Sequence, residues 1–117
     1  MTMDVEQSLR RSVELATGAP AYFDAPADFP RRFSTVCLAG DSGRERGCLK
    51  KALLSVKCWG GSRRDAKALH DAAEDAVESF ADEADVTSCR IESTFRDADP
   101  DTGWVRYQMT VSVEYMQ

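Results

Sequence analysis

Histidine is almost missing from this chain: His70 is the only one in 117 residues. The four cysteines, Cys37, Cys48, Cys58 and Cys89, include no C-x-x-C pair. A zinc site draws on paired cysteines or a His-x-x-x-His run, so neither a metal nor any other cofactor is expected. No apolar run approaches the roughly 18 residues of a membrane span. The start, "MTMDVEQSLRRSVEL", lacks the basic head and apolar middle of a signal peptide. The chain is therefore expected to stay in a cytosol, with no membrane partner and with its cysteines as reduced, semi-buried fillers. Glycine and proline are scarce, at 7 and 4 residues, which excludes a low-complexity or collagen-like chain. Positive charge is in deficit: 15 Lys and Arg stand against 20 Asp and Glu, for a net charge of -5. The molecule as a whole repels nucleic acid, and a sequence-reading DNA protein is disfavoured.

What is present fits one ordered domain over residues 1–117, with 43% hydrophobic and 30% charged residues. The acidic residues gather in "DAAEDAVESFADEAD" (71–85) and "RDADPDTG" (96–103), and such runs are solvated faces by default. Val5, Leu9, Val13 and Ala16 recur at helical spacing, with Asp4 placed to cap the start and Gly18 just past the end. "APAYFDAPADFPRR" (19–32) holds three prolines and no sustained period. A connection this long is uncommon inside a compact domain. Its Tyr22, Phe23 and Phe29 allow two readings, a loop pinned onto the core or an arm laid on a partner.

"RFSTVCLAG" (32–40) and "CLKKALLSVKCW" (48–59) are β-rich and flank the polar turn "GDSGRERG", which suits a hairpin with a long charged tip. In the second of them Ala52, Leu54, Val56 and Cys58 share one face. From Ser62 the period becomes helical: Ala66, Leu69, Ala73, Ala76, Val77 and Phe80 form a stripe. Arg64, Lys67, His70, Asp71, Glu74, Asp75 and Glu78 take the rest, so His70 is expected to be solvated. Ser62 with Asp65 three residues on resembles a capping box.

"VTSCRIESTF" (86–95) alternates with Cys89, Ile91, Ser93 and Phe95 on one side. "WVRYQMTVSVEYM" (104–116) sets Val105, Tyr107, Met109, Val111, Val113 and Tyr115 against Arg106, Gln108, Thr110, Ser112 and Glu114. The element order is α-β-β-α-β-β. A right-handed crossover through the long helix leaves a slot that the last strand fills, giving sheet order 1-2-4-3. The expected fold is an α+β two-layer sandwich: a four-stranded, mainly antiparallel sheet with helices packed on one face.

"CWGGSRRDA" (58–66) places two glycines between strand and helix and two arginines in the helix's first turn. A phosphate cradle is one reading. Neither G-x-G-x-x-G nor G-x-x-x-x-G-K-[ST] is present, and antiparallel hairpins flank the helix, so a plain corner fits better. First-turn arginines oppose the helix dipole, which points to another use for Arg63 and Arg64. No Ser-His-Asp set can be built around the single histidine, and "GDSG" (40–43) matches a serine-protease signature only by coincidence. No catalytic residue is identified, and the chain is expected not to be an enzyme.

The layout of "MDVEQSLRRSV", "LLSVKCWGGSRRDAKALHDAAEDAV" and "RDADPDTGWVRYQMTVSVEY" resembles that of the tail terminator, or tail completion, proteins of long-tailed bacteriophages. The likeness runs from about residue 3 to 116 and lies in the order of elements: a strand ending in tryptophan, a small polar turn, an amphipathic helix, and an acid-tipped hairpin before an alternating strand. It implies a structural subunit that closes into a homo-oligomeric ring, commonly a hexamer, on the tail tube. Such a ring stops tube growth and meets the neck or head completion protein, and DNA passes through its lumen without sequence-specific binding. The implied location is the virion, in the tail and neck region, after assembly in the host cytoplasm. Trp59, Gly60 and Gly61 match the strand-to-helix corner, and Asp97, Asp99, Asp101 and Gly103 match the hairpin tip. The interface candidates are Arg44, Arg46, Arg63 and Arg64 as ion-pair partners for Asp97, Asp99 and Asp101, with Trp104, Tyr22 and Phe23 beside them. A head-tail connector of the same region is the neighbouring reading. A small α+β module with an anion site at Gly60–Gly61 is the more distant one.

Overall fold

The computed structural model describes residues 4–41, 49–83, 85–98 and 103–116. Helix α1, Val5–Thr17, begins where Asp4 accepts a hydrogen bond from the Gln7 amide at 3.0 Å and ends at Gly18, whose φ of 67° is left-handed. Such a cap contributes about 1 kcal/mol and leaves few orphan amides at the helix start. Val5, Leu9 and Val13 are buried, whereas Ala16 lies on the exposed side and leaves the expected stripe one residue shorter. Helix α2, Arg63–Phe80, starts at Ser62, whose hydroxyl accepts from the Asp65 amide at 3.2 Å. Both helices pack on one face of the sheet and against each other. That face holds the core, and full burial of Leu9, Leu54 and Leu69 stabilises the fold by about 1.5–3 kcal/mol each.

The sheet is mixed and has five strands, not the expected four: β1 (Ala21–Tyr22), β2 (Arg32–Asp41), β3 (Leu49–Gly60), β4 (Val86–Ala98) and β5 (Val105–Met116). Their spatial order is β1-β2-β3-β5-β4. The four long strands thus run antiparallel with the last in chain order lying inside, and the addition is β1, parallel to β2. This extra strand falls in the proline-bearing segment, where no periodicity announces it. It persists because the Ser34 amide donates to the Pro20 carbonyl at 3.0 Å and because α1 side chains hold its outer side.

Three residues of α1 do that holding. Glu6 accepts from the Leu38 amide at 2.6 Å, Arg10 donates to the Ala21 carbonyl at 2.9 Å, and Glu14 accepts from the Ala21 amide at 3.0 Å. Spaced by four, they lie along one line of the helix and occupy outward backbone groups of the β1–β2 edge.

Two register shifts in β4, at Val86/Ser88 and Ile91/Ser93, correct the expected alternation. Cys89 and Ile91 pack against the core, but the extra residue Glu92 turns Ser93 and Phe95 to the other face, where Phe95 is 50% exposed. A bulge inverts every later side chain, so one face cannot carry the whole strand.

Candidate interaction surfaces

The corner at Gly60 is set by contact. A Cβ on Gly60 would stand 2.5 Å from the Ala66 amide nitrogen and 3.0 Å from the Ala66 Cα, so the first turn of α2 lies where a side chain would be. Gly61 has only the Arg31 carbonyl, at 4.0 Å. The first glycine therefore lets helix and strand approach closely, and the second is a spacer in an exposed turn.

The sheet face away from the helices carries a small aromatic layer. Phe33 and Trp59 stack at 4.8 Å and 8° between planes. Phe29, from the proline-bearing segment, meets Phe33 at 4.8 Å, Trp104 at 5.2 Å and Trp59 at 6.2 Å, all edge to face. Tyr22 closes on Phe33 at 6.0 Å. Phe33 is fully buried and Trp59 nearly so, although both are on the open side. Of the two readings of the 19–32 segment, the structure shows the pinned loop, fastened through Phe29 and Tyr22. Phe23 is left 40% exposed, with the Arg10 guanidinium 5.4 Å from its ring centre.

Asp97 and Arg106 form a hydrogen-bonded polar group on that face. Arg106 Nε and Nη2 donate to the Asp97 carboxylate at 3.0 and 2.8 Å, and Gln108 Nε2 donates at 2.9 Å. The Arg106 hydrogen bonds hold the Asp97 carboxyl below the usual carboxylate range. Arg106 also lies over the Trp59 ring at 5.6 Å.

The structure thus scatters the sequence-derived candidates. Asp97, Trp104 and Tyr22 join the open face, and Asp97 has its partners within its own chain. Arg63 and Arg64 are exposed at the start of α2, and among the described residues no ion pair joins them to Asp97. Arg44, Arg46, Asp99 and Asp101 lie outside the described residues.

His70, expected to be solvated, lies in the core instead. It is 3% exposed, its ring stacks on Tyr107 at 5.1 Å, and its Nε2 stands 2.6 Å from Glu74 Oε1. The signal was there: residue 70 is four after Ala66 and three before Ala73, inside the buried stripe. Among the described residues, its Nδ1 has no partner.

On the outer side of the helix layer, α1 and α2 border a groove of about 360 Å³. Leu15, Ala16, Ala76 and Phe80 supply its apolar wall, and Asp75 and Glu83 its acidic rim. Leu15 is 79% exposed, the most open large apolar side chain among the described residues.

Burial pushes the Cys58 thiol up to about 12 and the Cys89 thiol to about 11, which makes both poor nucleophiles. Among the described residues, no three His, Cys, Asp or Glu side chains group as a metal site, and no helix is long and apolar enough to cross a membrane.

No protein family and no curated protein matches the chain by sequence. A solved structure of the virion of a native gene transfer agent (GTA) particle contains a chain of the same fold, with a TM-score of 0.67 and 12% identity over 95% of this chain and 91% of that one. The likeness spans both chains nearly end to end and is one of fold.

Proposed function

We propose that this chain is a structural subunit of a phage-like particle, and within it a tail terminator: a protein that closes into a ring, commonly of six copies, on the end of the tail tube. The observation that carries this reading is the fold shared, over nearly the whole of both chains, with a component of a gene transfer agent virion. The narrower role rests on the resemblance of the sequence layout to that of tail terminators, which the chain's helix, strand pair, helix and final hairpin keep while β1 adds to it.

The site chemistry agrees with an assembly protein. The glycine corner is filled by the protein's own backbone, the Asp97 carboxylate is held by the chain's own Arg106, and the one histidine is buried in the helix–sheet interface. The working parts in this reading are surfaces: the helix layer with its groove, the open sheet face and the hairpin ends. The tube protein binds one side of the ring, the neck or head completion protein the other, and DNA crosses the lumen without base-specific contact.

Electron microscopy of the purified protein mixed with tail tubes of its own particle tests the reading. A ring seated on one end of each tube, with tube length fixed after its addition, is the expected result. Tubes that keep growing with no added density at their ends would overturn it.

A further inference from the structure

Helix α2 opens on two arginines, with Asp65 behind them, and closes on acids alone, so most of its terminal charge opposes its own dipole. A helix start favours anions and a helix end favours cations. Here Arg63 and Arg64 open the helix, while its last turns and the residues after it carry Asp75, Glu78, Asp82 and Glu83 with no basic residue among them. Among the described residues, none of these six side chains makes an ion pair or a side-chain hydrogen bond, and all six are exposed. Elsewhere on the helix Lys67 pairs with Asp71 and Glu74 Oε1 lies 2.6 Å from His70 Nε2, while Asp65 is the one first-turn charge that suits the dipole.

The two unmatched groups cannot meet within one chain. Eighteen residues at about 1.5 Å rise set the ends of α2 about 27 Å apart, well beyond an arginine's reach. They are complementary, however, and the acidic end rims the groove whose apolar wall holds the exposed Leu15. A surface that carries both halves of a contact at separate places joins head to tail, and such contacts form a ring where the rotation between copies closes and a filament where it does not.

We infer that the start of α2 in one copy, through Arg63 and Arg64, docks on the α1–α2 groove of the next copy, against Asp75 and Glu83, with Leu15 covered at the joint. The inference rests on the ring proposed above and names the surface through which it closes.

Two variants and their mixture test it by sedimentation velocity. Arg63→Glu with Arg64→Glu makes both halves acidic, and Asp75→Lys with Glu83→Lys makes both basic. Each variant alone is expected to associate at least tenfold more weakly than the unmodified chain. An equimolar mixture is expected to regain assembly, as alternating rings with an even number of subunits. Variants that assemble alone as well as the unmodified chain, or a mixture that stays monomeric, would overturn this contact and leave the ring reading standing. An unmodified chain that stays monomeric both alone and on tail tubes would overturn both. Circular dichroism of each variant checks the fold, which these exposed substitutions should leave unchanged.

Discussion

Asp97 and Arg106 face each other across the β4–β5 pair and join through two hydrogen bonds, at 3.0 and 2.8 Å, close to the acid-rich hairpin end. Arg106 in turn rests on Trp59, so the pair ties the hairpin to the aromatic layer of the open face. Because the Asp97 carboxyl is held below its ordinary value in the fold, its contribution to stability is fully present above the unfolded carboxylate value near 4. It is lost as pH falls through the lower, folded value. Asp97→Asn should therefore flatten the acid limb of a stability–pH curve measured by urea melts, with no change in slope between pH 6 and 8. An unchanged acid limb would show that the pair adds nothing beyond its geometry.

Gly60 and Gly61 should respond very differently to alanine. Gly60→Ala places a methyl group against the Ala66 backbone and should destabilise by roughly 1–3 kcal/mol or more, because backbone cannot step aside. Gly61→Ala meets only ordinary contact and should be near neutral. Thermal melts of the two variants make the comparison, and equal effects would argue against close packing as the role of Gly60.

The thiols should separate by reactivity. In a Cys48→Ser background, Cys37 is exposed and should react with an aromatic disulfide reagent at pH 8 within the mixing period. Cys58, buried and raised to about 12, should react only on unfolding, and Cys89, at about 11, slowly. Mass spectrometry of partly labelled protein reads the order directly.

His70 sits where the helix meets β5, and its removal should be felt as a core defect. His70→Ala should cost roughly 2 kcal/mol through the cavity left against Tyr107. His70→Phe keeps the ring and discards the unpartnered Nδ1, so it should cost much less than alanine. Chemical denaturation of both variants supplies the test.

Reversing the first-turn arginines should have opposite effects on two quantities. Arg63→Glu and Arg64→Glu should each stabilise the isolated subunit by about 0.3–1 kcal/mol, since anions suit a helix start. The same changes should weaken self-association. A melt performed at a concentration where the chain is monomeric isolates the first effect, and a lower midpoint would contradict it.

The parts of the fold legible in the sequence were those with long, uninterrupted periods. Ser62 and the stripe from Ala66 to Phe80 announced α2, and the alternation from Val105 to Tyr115 announced the inner strand. What escaped depends on contacts distant in sequence. The two residues of β1 have no pattern of their own and are held by Glu14 and Arg10 from the preceding helix. The inserted residue at Glu92 is invisible to a period-two reading, and it alone decides that Phe95 faces solvent. The burial of His70 was hidden by treating a titratable side chain as polar when its position belonged to the stripe. Of the interface candidates, Arg63 and Arg64 stood out for opposing the helix dipole. The matching acids at the far end gained meaning only once the groove between α1 and α2 was visible.

The line of Glu6, Arg10 and Glu14 along α1 has one further effect. A β-layer can lengthen without limit only if each copy offers two unsatisfied flanks, and here three side chains occupy three backbone groups of one. Zippering through that flank would first have to displace these three contacts, which disfavours continuous stacking of copies.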